Sequence, residues 1–100
     1  MNKSDQIKQR IKADGGKFWA GSNISKYLED GDKEALIEEL TPKFEAVLEG
    51  LVIDIENDPN SQDTGRRLAK MYIKELMVGR YEAMPNATAF PNVTEDRYEG

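Results

Sequence analysis

A length of 100 residues suits one small domain or one piece of a larger one. The chain has no cysteine and no histidine, which removes a disulfide framework, a thiol nucleophile and an imidazole base together. Its net charge of -5 disfavours a phosphate backbone as partner, and no apolar run approaches the roughly 20 residues needed to span a bilayer.

The opening Met1-Asn2-Lys3-Ser4-Asp5-Gln6 leads into polar sequence with no apolar secretory core, so a cytoplasmic location is expected. Residues 4–13 suit a short helix, with Ser4 as its cap and Ile7 and Ile11 one turn apart. Gly15-Gly16 ends it. Phe18 and Trp19 fall in the following loop, where anchoring the N-terminal arm on the core is favoured over binding a ligand or partner. Ser22 or Asn23 starts a second short helix that runs through Leu28 and closes at Gly31. Residues 1–33 are thus expected to form an arm of short helices.

Asp32 suits the cap of the first long helix. Leu36, Leu40, Phe44, Val47, Leu48 and Leu51 recur at three- and four-residue spacings and are expected to pack as one face. Pro42 interrupts this run, having no amide hydrogen and a ring that crowds the previous turn. Either the helix continues with a kink, or Thr41 caps a fresh helix with Pro42 at its first position. The unbroken apolar phase favours the continuous helix.

A loop follows over residues 54–62, with a turn at Pro59-Asn60-Ser61, and Asp63 or Thr64 caps the next helix. There Leu68, Ala69, Tyr72, Ile73 and Leu76 line one face, Met71 and Met77 lie at its margins, and Gly79 is the natural stop. The expected fold is all-α, with an antiparallel helical hairpin over residues 34–80 as its core. Residues 34–60 carry -7 and residues 61–80 carry +3, which favours antiparallel pairing or simply gives two differently charged solvated faces. Residues 81–100 contain Pro85 and Pro91 and little periodicity, so an irregular segment is expected, with Phe90 and Val93 as isolated anchors.

The motifs offer little chemistry of their own. Asp54, Glu56 and Asp58 alternate like calcium ligands, but Pro59 and Gly65 stand where an EF-hand loop needs its glycine and its bidentate glutamate. The glycines at 15, 16 and 31 form no phosphate cradle. Arg66-Arg67 near a helix start can meet a phosphate or carboxylate, though solvation or a salt bridge to the acidic helix is favoured. Tyr72 is expected in the core with its hydroxyl at the edge, while Tyr27, Tyr81 and Tyr98 are open to partner contacts. No catalytic, cofactor-binding or metal-binding residue is assigned.

The run Thr64, Arg67, Ala69, Lys70, Met71 and Tyr72 resembles the helix signature of GTP cyclohydrolase I, with Leu68 for that family's valine. Glu75 and Gly79 match the helix continuation and end, and Phe90-Pro91-Asn92 is similar to the loop beyond it. Upstream, Val47-Leu48, Leu51-Val52-Ile53-Asp54 and Asn57-Asp58-Pro59-Asn60 resemble the preceding helix and turn. The likeness is strongest over residues 34–93. Gly65 departs from it, standing where the family commonly has proline.

The resemblance implies the N-terminal helical domain of an enzyme of pterin and tetrahydrofolate biosynthesis. That family converts GTP and water to formate and 7,8-dihydroneopterin triphosphate, with zinc held by cysteine and histidine in a C-terminal domain. On this reading residues 81–100 are a linker toward a catalytic domain beyond Gly100, and GTP is met only through that domain. The partners implied are the catalytic domain and neighbouring subunits of a homo-oligomer, with no nucleic acid and no membrane. A standalone helical interaction or regulatory module is the alternative. A complete small enzyme and a nucleic-acid module are the remaining readings.

Overall fold

The computed structural model describes residues 1–83, and those residues are all-α: no strand occurs among them. Phe90, Pro91, Asn92, Val93 and Tyr98, and the expected irregular segment beyond Ala83, lie outside the described residues. Helix α1 spans Lys3–Ala13. Its cap is Asn2 rather than Ser4: the Asn2 side chain accepts the Asp5 amide, leaving Ser4 inside the first turn with its hydroxyl turned to Glu39. A left-handed Gly15 at φ 70 turns the chain away after Ala13.

The second expected helix shrinks to a single 3-10 turn, Ser25–Tyr27. Tertiary and local bonds have already taken the backbone before it. The Ile24 amide donates to the Arg80 carbonyl at 2.8 Å, and the Ser25 amide to Asn23 Oδ1 at 2.9 Å. Gly31 does not close this turn. It sits at the N-cap of helix α2 (Asp32–Gly50) with φ 85, and Asp32 is the first helical residue rather than the cap.

Helix α2 runs through Pro42 without a break. Proline leaves one carbonyl of the preceding turn without its usual donor, and nearby the Thr41 hydroxyl donates back to the Ile37 carbonyl at 2.7 Å. The helix ends in a Schellman motif, with Ile53 N–H donating to Leu48 O and Val52 N–H to Glu49 O. The loop beyond is stapled by Gln62, whose side-chain amide donates to the carbonyls of Ile55, Glu56 and Asp58.

Helix α3 (Thr64–Met71) passes into a π-helical turn, Tyr72–Leu76, and a short helix α4 follows over Val78–Tyr81. Asp63 occupies the N-cap position of α3 without a side-chain cap bond. Gly79 is not the stop. The wider winding brings Met77 N–H onto Tyr72 O, and the helix breaks at Met77, two residues before that glycine.

The hairpin is antiparallel, and α1 lies across its open end. Ile7 and Ile11 of α1 pack with Ile24, with Leu36 and Ile37 of α2, and with Ala69 and Ile73 of the second strand of helix. Phe18, Tyr27, Leu28, Leu40, Phe44 and Tyr81 close around this centre. Ile11 and Ile73 are the largest side chains wholly removed from water, each contributing about 2–3 kcal/mol by burial.

Candidate functional site: an apolar face on a charged hairpin

Where α3 meets α2 the helices touch at backbone distance. A methyl group placed on Gly65 would lie 2.6 Å from Glu45 Cγ and 3.1 Å from the Thr41 carbonyl oxygen. A larger residue requires the Glu45 side chain to turn aside and the Thr41 carbonyl to give by a few tenths of an ångström. Along the outer edge of the pair the opposite charges meet: Arg66 reaches Glu38 at 3.3 Å and Lys74 reaches Glu34 at 3.0 Å. Arg66 thus takes the salt bridge to the acidic helix, while Arg67 stays exposed with a long 3.5 Å contact to Thr64 Oγ1. Such surface pairs are worth only about 0.2–1 kcal/mol each and set register more than stability.

The residues singled out on the second helix separate into two groups. Ala69 and Ile73 are buried, and Thr64, Leu68 and Met71 half-buried, so these build the hairpin. Lys70, Glu75 and Gly79 are exposed. Tyr72 is not a core residue: it lies 40% exposed, its ring stacked on Phe44 with centroids 5.1 Å apart. Leu76, Met77 and Val78 continue the exposed apolar surface, Leu76 at 59%. On α2, Leu36 and Leu48 are buried and Leu40 and Phe44 half-buried, but Val47 and Leu51 are exposed. The 3.6-residue period holds along α2, but on the second helix the π turn shifts its phase and turns Leu76 outward. What is missing is a third layer, because α1 covers only the Leu36 end of the hairpin and no other described element covers the rest.

Two polar clusters hold the arm in place, and neither was legible as a site. The Asp32 carboxylate, almost wholly buried, accepts from Arg10 at 2.6 Å, from the Glu29 amide at 2.8 Å and from Lys3 at 3.1 Å. Burial alone would raise its pKa, but those donors outweigh it and hold the carboxyl at about 2. Glu39 receives the Ser4 amide at 2.8 Å and the Ser4 hydroxyl at 2.5 Å, so it caps α1 from the neighbouring helix. Its pKa too lies below the usual carboxylate value, burial being overcome by the two Ser4 bonds and Lys43.

Arg80 makes the second cluster. Its guanidinium donates to the carbonyls of Phe18 (3.0 Å), Trp19, Ala20 (3.3 Å) and Ser22 (3.0 Å), while Asn23 Nδ2 reaches back to Gly79 O and Glu82 O. The arm's aromatic pair divides accordingly. Phe18 packs on the core, whereas Trp19 stays outside, under the Lys17 ammonium at 4.3 Å from its ring centre. Sequence gave no warning of the Arg80 clamp, whose partners are backbone atoms some 60 residues away.

The chain does not fit the implied zinc. It carries neither histidine nor cysteine, and among the described residues no three acidic side chains converge as a ligand set. Asp54 instead accepts from Asn57, and Asp58 caps the Asn60 amide. Among the described residues no helix is long and apolar enough to cross a membrane. Compared with known proteins, the chain matches no family model, no curated protein and no solved structure. The described residues thus present an apolar face beside a row of fixed charge pairs.

Proposed function

We infer that this chain is the helical assembly domain of a GTP cyclohydrolase I-like enzyme, working in the cytoplasm. The observation that carries this reading is the uncovered side of the second helix, where Tyr72, Leu76, Met77 and Val78 are exposed in sequence. A hairpin that folds around its own small core yet leaves such a surface open is suited to docking against a further domain or subunit. The signature residues support the same assignment, with Ala69 and Met71 at the hairpin contact and Tyr72 at the open face. In the parent, GTP, water and zinc would meet in a catalytic domain joined after this one, and the domain described here would organise subunits around it.

The test is made on the native product from its source. A mass well above 11.3 kDa, with formate released from GTP and lost on zinc chelation, is the expected result. A mass near 11.3 kDa overturns it. That outcome would favour a standalone interaction module, a reading supported by the closed core around Ile11 and Ile73.

A further inference from the structure

At the tip of the hairpin three apolar side chains stand in water. Val47, Leu51 and Val52 are 56%, 65% and 92% exposed. Val47 in the last turn of α2 and Leu51 at its C-cap are joined by a 3.0 Å backbone bond, and Val52 follows directly. The sequence around them is acidic without relief: residues 44–65 hold six carboxylates and no lysine or arginine. Ion pairs elsewhere use Asp14, Glu29, Asp32, Glu34, Glu38, Glu39 and Glu82; among the described residues none of the six at the tip forms one.

Val52 carries a second peculiarity. Its φ is 67, a left-handed conformation that a β-branched side chain adopts only under constraint. The position is the C′ residue of the Schellman motif, where glycine is the low-energy choice. A valine there serves neither the backbone nor the core, and its side chain is presented outward.

We propose that this tip docks a basic amphipathic helix of a partner protein, its apolar face bordered by lysine and arginine. Leu51 and Val52 pack on that apolar face, and Glu49, Asp54 and Glu56, which flank them in the chain, meet the cations. Apolar centre and charged rim are the usual anatomy of such an interface, and the uncompensated charge selects the sign of the partner. A second copy presenting the same tip would oppose like charges, as would an anionic membrane or a nucleic acid. The proposal is independent of the cyclohydrolase reading and survives its failure.

The probe is a short synthetic helix with leucine on one face and lysine on the other, titrated into the isotope-labelled chain and followed by amide chemical shifts. A scrambled peptide of the same composition and a leucine–glutamate counterpart serve as comparisons. The expected result is shifts confined to residues 44–58, with binding weakened about tenfold by Val52→Gly and by Glu49→Gln with Glu56→Gln together. Val52→Gly keeps the helix cap and relieves its backbone, so lost binding there is not lost folding. Shifts centred elsewhere, equal binding of the scrambled or acidic peptide, or an unaffected Val52→Gly variant would overturn the proposal. So would concentration-dependent self-association through residues 47–52, which would make the partner a second copy.

Discussion

At Val52 the backbone and the side chain want different things. A left-handed L-residue costs roughly 1–2 kcal/mol, and the exposed valine recovers almost nothing by burial. Val52→Gly is therefore expected to stabilise the chain by about 0.5–1 kcal/mol after the entropy of the freer unfolded glycine is counted, read as a higher midpoint in thermal unfolding. Gly65 gives the opposite case. Alanine is the better helix former, yet its methyl group would press on the Thr41 carbonyl and Glu45 Cγ. Gly65→Ala should destabilise by about 1–2 kcal/mol in urea, because backbone in contact with backbone has little room to give. An increase in stability would mean the helices part easily there. Asp32→Asn leaves Arg10 and Lys3 facing a neutral group, but both cations keep about a quarter of their side chains in water and can rehydrate. A loss of about 2 kcal/mol is expected, below the range for a wholly buried pair.

Helix α1 is attached to α2 by carboxylates, so its docking depends on pH. Asp32 and Glu39 both have folded-state pKa values below their usual 3.8 and 4.5. Groups shifted downward stabilise the fold above the unfolded value and lose that contribution as pH falls through the folded one. The attachment of α1 should thus be complete above about pH 5 and weaken progressively toward pH 2. Measured against the intrinsic exchange rate at each pH, protection of the Ile7 and Ile11 amides should fall with acid before that of Ala69 and Ile73, and Asp32→Asn should flatten that dependence. The hairpin itself was legible from spacing: the run from Leu36 to Leu48 and the pair Ala69 and Ile73 announce a shared face, and the unbroken phase across Pro42 signals one helix. Less was legible where a local signal competed with a distant partner. Ser4 reads as a cap until Glu39 arrives from another helix, and Asp32 reads as one until Arg10 and Lys3 claim it. The π turn left no mark in the pattern, so Leu76 was expected inside and lies outside. Val47 and Leu51 have the right period too, but period reports a shared face and not whether anything covers it.

Across the whole molecule, two ties of different reach close the arm on the hairpin: the ionic contacts of α1, and the Arg80 clamp on residues 18–22 with Asn23 answering from the other side. Arg80→Ala should free four carbonyls and cost about 1–2 kcal/mol, with faster amide exchange at Ser22 and greater mobility of Trp19 by fluorescence anisotropy. Arg80→Lys should recover only part of this, since an ammonium cannot spread donors over so wide a fork. A fall in exchange, or no change, would show that the loop holds its shape unaided. The clamp also has a direction in time. Its donor is made some 60 residues after its acceptors, so on the ribosome α1 and the whole of α2 are synthesised before Arg80 exists. The Phe18–Ser22 bend must therefore wait, its carbonyls in water, until α4 arrives to fasten it.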